Sequence, residues 1–392
     1  MKNSVLFFLF FLVLIKPLQA QVQLSTTAEV SIVTAGPGTE LYEAFGHSAI
    51  RIKDPVLQVD LIYNYGMFDF NAPNFYGNFT KGKLLYKLAR YDFKYFLASY
   101  KRDKRWVKQQ VLNLNQKQKQ AFFRYLETNA LPKNATYFYD PYFNNCATKL
   151  RDITKAILGN QLSFRDDNIE KECSFRQLMD KEIPWNTWGS FGINLALGNK
   201  LDQVALIKDY MYLPDYVYTI FKESTVYLDN QPEKLVKRED ILLDFKELEQ
   251  NILFLNPMLI FSLIALLGIF ITYKDFKKKK RTKLLDFLLL LISGIIGVLI
   301  VFLWFFTNHS TTPNNFNFLW AFAPNIFIAF LMLKKVEKKW VSAYIQFLGG
   351  LILLIPILWV FGVQSFPIAT IPLLILFGVR YLFLSLKLNA IT

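Results

Sequence analysis

Histidine and cysteine are both scarce, with two residues of each in 392. The histidines are His47 and His309, and the cysteines are Cys146 and Cys173. So few residues exclude a Cys/His metal cluster, although the two cysteines could form one disulfide in an oxidising compartment. The chain also lacks a phosphate-binding loop and an HExxH motif. We therefore expect no cofactor and no metal.

Charged residues are sparse in long stretches after about residue 252, which are apolar enough to cross a membrane as helices. Two intervening loops, KDFKKKKRTK and LKKVEKKW, are strongly basic, whereas TNHSTTPNNFN and QSFP contain no lysine or arginine. By the positive-inside rule the basic loops are cytoplasmic. Pro324 and Asn325 interrupt the third apolar stretch. We predict five spans, at roughly 252–273, 287–306, 318–333, 341–363 and 368–388.

The amino terminus has a short basic start, an apolar run and a small residue, Ala20, which is the pattern of a secretory signal. The larger Leu18 leaves retention as an anchor open. Signal and loop charges independently predict an inner-membrane protein whose amino-terminal domain is periplasmic. The expected division is a signal over 1–20, a periplasmic domain over 21–250 and a transmembrane domain over 251–392. The net charge of +14 is partly a result of this topology and does not indicate nucleic-acid binding.

The periplasmic part begins with strand patterns. VSIVTA alternates and is β-branched, and HSAIRIKD and QVDLIYNYGMF read as the next two strands, joined by a turn near Asp54–Pro55. Helical patterns follow in FKYFLASYKRDKRWVKQQVL, NQKQKQAFFRYLETNAL and NCATKLRDITKAIL. We expect an α+β domain in which His47 begins a strand and Cys146 begins a helix.

Cys146 and His47 together fit a thiol nucleophile and its base. An imidazole can take the thiol proton and hold the thiolate as an ion pair. A helix start lowers the thiol pKa further, and its free N–H groups can bind an oxyanion. Asn145 or Asn144 would cap that helix. Taken singly, a buried cysteine and a strand histidine are commonplace, but His47 is the only histidine in the periplasmic part.

The segments AFGHSAIRI, YNYGMFDF and YFNNCATKLRD resemble the periplasmic domain of the Lnb-type lipoprotein N-acyltransferases and, more distantly, the permuted NlpC/P60 and lecithin:retinol acyltransferase superfamily. The resemblance covers nearly the whole chain. It implies a papain-like, permuted NlpC/P60-like α+β domain followed by an all-α transmembrane bundle. It also implies a reaction in which an acyl chain moves from a phospholipid to the thiol of Cys146, with His47 as base, and then to the α-amino group of a diacylglyceryl-cysteine lipoprotein.

The resemblance to the superfamily implies that a third, orienting residue lies on the strand after the histidine strand. Asp60 and Asn64 share a face of that strand if it is regular. We prefer Asp60, because a carboxylate would both orient the imidazole and stabilise its charge, while Asn64 and Asn145 are further orienting or oxyanion candidates. Tyr63 and Glu40 are weaker ones.

The membrane part favours a lipid substrate, because a peptidoglycan hydrolase needs only one anchor. His309 lies in the loop between spans two and three, on the side of the thiol, where it could contact lipid head groups, approach the thiol or simply be interfacial. Trp185 and Trp188 could belong to an interfacial surface or to the core. Two alternatives stay open: a membrane-anchored cysteine hydrolase of peptidoglycan amides or phospholipid esters, and a non-catalytic envelope-assembly protein.

Overall fold

The computed structural model describes residues 22–165, 169, 172–229, 231–247, 252–334 and 339–389, so the predicted signal lies outside it. The strands are β1 Glu29–Ala35, β2 His47–Asp54, β3 Val59–Met67, β4 Leu85–Asp92, β5 Val107–Leu112, β6 Thr136–Phe138, β7 Leu162–Ser163, β8 Thr225–Leu228, β9 Gln231–Lys234 and β10 Val236–Leu243. The α-helices are α1 Phe75–Thr80, α2 Phe93–Arg102, α3 Gln116–Ala130, α4 Cys146–Leu158, α5 Phe175–Glu182, α6 Trp188–Ala196, α7 Ile207–Tyr210, α8 Pro214–Glu223, α9 Pro257–Lys277, α10 Lys283–Phe305, α11 Asn325–Met332, α12 Lys339–Val360 and α13 Ile371–Asn389.

A seven-stranded antiparallel sheet organises the periplasmic domain, in the order β10-β5-β1-β2-β3-β4-β6. The three strands predicted from alternating β-branched patterns are confirmed as β1, β2 and β3. His47 pairs with Ala35, the last residue of β1, so the first residue of β2 lies beside the end of that central strand. A second sheet of β7, β8 and β9 lies outside this layer.

Helix α4 lies against β2 and β3. Its apolar residues recur at helical spacing, so that Ala147, Leu150, Ile153 and Leu158 are all buried in the main core. The helix therefore lies across the sheet with its first residue, Cys146, near the start of β2.

One predicted helix is wrong in its second half. The pattern over 93–112 gives a helix only for Phe93–Arg102, and Val107–Leu112 forms the strand β5 instead. The amide Nε2 of the buried Gln110 donates to the carbonyl oxygen of Tyr218 at 3.0 Å, so a polar side chain is accommodated within the sheet. Tertiary pairing with β1 and β10 overrides the local helical pattern.

Among the described residues, four helices are long and apolar enough to cross a membrane, namely Pro257–Lys277, Lys283–Phe305, Lys339–Val360 and Ile368–Leu388. The third predicted span is α-helical only over Asn325–Met332, and a 3₁₀ turn, Phe316–Leu319, begins its outer half. Its Asn325 amide donates to Ser293 in the middle of α10 at 3.0 Å, and Arg281 donates to the carbonyl oxygens of Met332 and Lys334, both at 2.9 Å. The segment thus runs antiparallel to α10, with a largely irregular outer half that is covered by protein.

Helix α6 seats the periplasmic domain on the membrane helices. The Trp188 indole donates to the carbonyl oxygen of Leu255 at 2.8 Å, and the rings of Phe191 and Phe261 are 5.0 Å apart. The Asn315 amide, in the loop before α11, donates to the carbonyl oxygen of Leu195 at 2.8 Å. The tryptophan segment is therefore an interfacial surface between the two parts of the chain.

Candidate active site

The loop before β2 sets the position of His47. Gly46 has a φ of +68°, and a Cβ there would lie 2.8 Å from the carbonyl oxygen of Ala35. Only glycine combines this left-handed conformation with so close an approach. The dipeptide Gly46–His47 therefore turns the chain sharply into β2 and places the imidazole at the first residue of the strand.

Asn145 fixes the first turn of α4. Its side-chain oxygen accepts from the N–H of Thr148 at 2.9 Å, and the Thr148 hydroxyl accepts from the N–H of Asn145 at 2.7 Å, which is a complete capping box. The Asn145 amide also donates to the carbonyl oxygens of Pro141 and Tyr212. Its side chain is occupied on both ends, so Asn145 holds the helix start in place and has no free group for an oxyanion.

Cys146, the first residue of α4, lies beside His47. Its side chain is buried, and it forms no disulfide with Cys173. Burial on its own would raise the pKa of the thiol, but the charge of His47, a hydrogen bond with His47 and the N–H groups of Ser48 and Ala147 hold that pKa below its usual value. The sulfur is thus surrounded by donors that favour the thiolate.

The pKa of His47 moves in the opposite direction. Burial opposes protonation of the imidazole, yet the charge and hydrogen bond of Cys146, together with the hydrogen bond to Asn64, raise its pKa above the ordinary value. A lowered thiol pKa beside a raised imidazole pKa favours a thiolate–imidazolium pair. Both shifts therefore act in the direction that activates a thiol as a nucleophile.

Asn64 orients the imidazole. The Nε2 of His47 lies 2.6 Å from the amide oxygen of Asn64, which can only accept, so Nε2 carries a proton. Nδ1 is then the ring nitrogen left to take the thiol proton. The Asn64 amide nitrogen donates to the Tyr91 hydroxyl at 3.0 Å and to the Met67 sulfur at 3.3 Å, and because a thioether can only accept, the amide oxygen is the end that faces the histidine. A Cys–His–Asn arrangement of this kind occurs in papain-like proteases.

The preference for Asp60 as the orienting group does not fit this geometry. Asp60 pairs with Lys53, near the far end of β2 from His47, and its carboxylate binds Arg51 through two hydrogen bonds of 2.7 Å. It shares the strand face of Asn64, but four residues of extended chain separate the two by about 13 Å. The side chain beside the imidazole is therefore Asn64, the other orienting candidate on this face, and not the preferred Asp60.

The weaker candidates have other partners. The Tyr63 hydroxyl donates to Glu127 at 2.6 Å. Glu40 directly precedes the short 3₁₀ turn Leu41–Glu43 and is exposed. In the part of the chain that the structure describes, no group of His, Cys, Asp and Glu side chains is arranged to hold a metal ion.

His309 lies against the periplasmic domain near α1. Its ring is 6.5 Å from that of Phe79, and a Cβ on Gly82 would lie 2.5 Å from its backbone nitrogen. The N–H of Asn308 donates to the carbonyl oxygen of Lys81 at 2.9 Å. The loop between α10 and α11, residues 306–324, therefore contacts the domain, and the His309 side chain packs on an aromatic residue of α1.

A second contact of this loop reaches the segment that precedes the cysteine. The Ser310 hydroxyl donates to the carboxylate of Asp140. The other carboxylate oxygen of Asp140 accepts from the N–H groups of Tyr142 and Phe143, at 2.9 and 3.0 Å, and so shapes the turn before Cys146. This connection was not predicted, because nothing in sequence spacing relates residue 140 to residue 310.

Comparison with known families gives two matches, one for each of the two parts of the chain. Residues 16–189 match the Lnb N-terminal periplasmic domain, and residues 249–390 match the Lnb transmembrane domain. No curated protein and no solved structure matches the chain. The amino-terminal domain is thus periplasmic and the carboxyl-terminal part is a multi-pass inner-membrane domain. On the evidence of both halves, this chain belongs to the Lnb family.

Proposed function

We propose that the protein is a lipoprotein N-acyltransferase that works through a thioester on Cys146. The observation that carries the proposal is a buried Cys146–His47–Asn64 arrangement in a domain that is seated directly on membrane-spanning helices. His47 serves as the base, and Asn64 holds its ring. The acyl donor is a membrane phospholipid, and the acceptor is the α-amino group of a diacylglyceryl-cysteine lipoprotein.

In the first half-reaction, the thiolate of Cys146 attacks the carbonyl carbon of a phospholipid ester. A C–S bond forms and the C–O bond to glycerol breaks, while the imidazolium of His47 gives its proton to the departing alkoxide. The oxyanion that forms in between needs hydrogen-bond donors, and the N–H groups of Ser48 and Ala147 lie beside the sulfur. The products are a lysophospholipid and an acyl-enzyme.

In the second half-reaction, the neutral amine of the lipoprotein attacks the thioester. A C–N bond forms, the C–S bond breaks, and His47 takes the proton released by the amine. The thiolate returns to its starting state, so the cycle needs neither a cofactor nor an external energy source. The ester of the phospholipid supplies the activated acyl group.

The contact with the membrane domain supports a lipid ester over a soluble substrate. Reacting atoms must approach within about 3–3.5 Å, and an ester carbonyl lies near the head-group boundary of the bilayer. Pulling a long acyl chain into water instead would cost about 0.8 kcal/mol for each CH₂. Contacts through α6 and through the loop of Asn308 hold the domain on the membrane helices, and this attachment supports a substrate at the head-group boundary.

The test is intact-mass analysis of the purified protein after incubation with phospholipid in nanodiscs. We expect a mass increase of one acyl chain that hydroxylamine removes, that is absent from Cys146→Ala, and that disappears when a diacylglyceryl peptide with a free amine is added. Release of free fatty acid without any acylated peptide would instead identify a hydrolase. If no acyl chain is attached in either the presence or absence of the peptide, the proposal is wrong.

A further inference from the structure

A continuous row of aromatic rings leads from Cys146 to the membrane domain. The space beside Gly66 is shared by Cys146 and Tyr139, because a Cβ on this glycine would lie 3.7 Å from the Cβ of Cys146 and 3.5 Å from the Tyr139 ring. Tyr139 stacks on Tyr86, with ring centres 4.5 Å apart, and Tyr86 lies 5.0 Å from Phe68. The thiol is therefore at one end of an aromatic surface.

The row continues through α1 to the outer loop. The ring of Phe68 is 6.0 Å from that of Phe75, which is 6.2 Å from Phe79, which in turn is 6.5 Å from His309. We call Phe68, Phe70, Phe75, Tyr76 and Phe79 the aromatic patch. Its outer members are open to the surroundings, since Phe70, Tyr76 and Phe79 are 52%, 71% and 48% exposed. Such a contiguous apolar surface indicates a lipid or ligand contact.

The position of the patch indicates what covers it. His309 is only four residues beyond the end of α10 at Phe305, and the turn at Lys81 and Gly82 rests on that loop. Helix α1 therefore lies at the level where a membrane helix leaves the bilayer, which is where aromatic side chains concentrate. Lys81 and Lys83 follow the carboxyl end of this helix, are both exposed, and suit an anionic phosphate group.

We propose that the aromatic patch is the binding surface for the acyl chain of the donor phospholipid, along which the chain lies while its ester carbonyl reaches Cys146. This inference rests on the proposed function and assigns its donor site. The rings provide an apolar contact surface between the outer loop of the membrane domain and the thiol. We assign this surface to the donor of the first half-reaction, and nanodiscs without lipoprotein test that assignment separately from the acceptor.

The first experiment detects the lipid without any chemistry at the thiol. A photoreactive benzoyl-phenylalanine is placed at Tyr76 or Phe79 in the Cys146→Ala protein, in nanodiscs of dioleoyl phosphatidylethanolamine and phosphatidylglycerol that contain no lipoprotein. Tyr95, on α2, is 61% exposed and serves as the matched control site. We expect a phospholipid adduct by mass at 76 and 79 and none at 95. Crosslinks to protein only, or equal lipid labelling at 95, would refute the assignment.

The second experiment separates this inference from the proposed function. Thioester formation is measured for Tyr76→Ser, Phe79→Ser and Tyr95→Ser with a long-chain phospholipid and with a water-soluble ester of a two- to four-carbon acid. For the two patch variants we expect a loss of about tenfold or more with the long chain, equivalent to about 1.4 kcal/mol. The short ester and the Tyr95 control should be unaffected. Parental rates for all variants with the long chain would overturn the patch alone, whereas failure of the parent to form a thioester would overturn the acyltransferase itself.

Discussion

The two cysteines of this protein are similarly buried, yet different groups face their sulfur atoms. Cys146 and Cys173 are 8% and 6% exposed, and neither is in a disulfide. Cys146 begins a helix and faces an imidazole, which can accept its proton near neutral pH. Cys173 lies before the capping residue of α5, and the ammonium of Lys181 approaches its sulfur at 3.7 Å.

The two sites differ in whether a neighbouring group can accept the thiol proton. A charged ammonium can only donate, so Lys181 offers no acceptor for it. The backbone around Cys173 is held by its own hydrogen bonds, because its N–H donates to the Tyr210 hydroxyl at 2.9 Å and its carbonyl oxygen accepts from the N–H of Ala205 at 3.0 Å. We therefore expect the two thiols to differ in reactivity.

The most direct test of this difference is to replace each cysteine in turn and measure acyl transfer. Cys146→Ala should lower acyl transfer by at least about a thousandfold, because a nucleophile is lost. Cys173→Ala removes only a small buried group and should leave the rate within about threefold of the parent, with a modest decrease in stability. Transfer to a diacylglyceryl peptide is followed by mass spectrometry, with circular dichroism to verify folding. Parental activity in Cys146→Ala would end the catalytic interpretation.

Replacing His47 with Ala tests whether the thiol depends on its partner. We expect a loss of acyl transfer similar in size to that of Cys146→Ala, and a double variant no worse than either single one, because the two residues act in one step. Alkylation of Cys146 by iodoacetamide at pH 7 should also slow, since the thiolate is no longer stabilised. Cys173→Ala supplies the background for this assay, so that only Cys146 is labelled. Equal labelling rates with and without His47 would rule out the ion pair.

Asn64 and Asp60 lie on the same strand face, and we expect their replacements to have different effects on activity and stability. Asn64→Ala should lower the turnover number on the order of a hundredfold, at the low end of what a positioned base contributes. Asp60→Asn should keep the activity and lower the free energy of unfolding by about 1–2 kcal/mol, because it weakens the hydrogen bonds to the guanidinium of Arg51. Rates and thermal unfolding are measured on the same detergent-solubilised samples. The reverse pattern would restore Asp60 as the orienting residue.

The pH dependence of alkylation follows from the two opposite pKa shifts. The pKa of Cys146 is lowered, so its thiolate persists at pH values below the pKa of a free thiol, which is about 8.5. The pKa of His47 is raised, so the imidazolium persists above its ordinary range. In Cys173→Ala, the alkylation rate should therefore rise at a pH below about 8.5, and His47→Ala should move that rise to higher pH. A profile that is the same in both would contradict the pairing.

The local parts of this site could be predicted from the sequence, and the long-range parts could not. Gly46–His47 and Asn145–Cys146 carry their own signals, because a left-handed glycine and a helix cap are determined by a few neighbouring residues. The choice of Asn64 depends on where β3 pairs with β2, and a strand face alone leaves several positions open. The carboxylate chemistry favoured Asp60, but the register determines which side chain reaches the ring.

The membrane part shows the same division. Hydropathy and loop charge predicted the four long helices, whereas the third predicted span is α-helical only in its inner half. Pro324 and Asn325 marked the interruption in the sequence. The segment that leads into its irregular outer half is held by contacts such as the bond from Asn315 to Leu195, in a helix more than a hundred residues away. Such pairings depend on how the two domains dock, which periodicity does not report.

The smallest predicted effect concerns the bond between the outer loop and the segment before the cysteine. Ser310→Ala removes the donor to Asp140, whose carboxylate shapes the turn at Tyr142 and Phe143. A net hydrogen bond contributes about 0.5–1.5 kcal/mol, so we expect acyl transfer from phospholipid to fall by about two- to tenfold. Alkylation of Cys146 should change less, because His47 and Asn64 are untouched. Thr307→Ala is the control, since that hydroxyl lies in the same loop but donates to the carbonyl oxygen of Leu303 in the preceding helix α10. If both serine and threonine variants lose activity equally, the loss reflects general loosening of the loop, and the specific link from the membrane domain to the nucleophile is refuted. A loss for Ser310→Ala alone would show that the membrane domain helps to set the position of the thiol through Asp140.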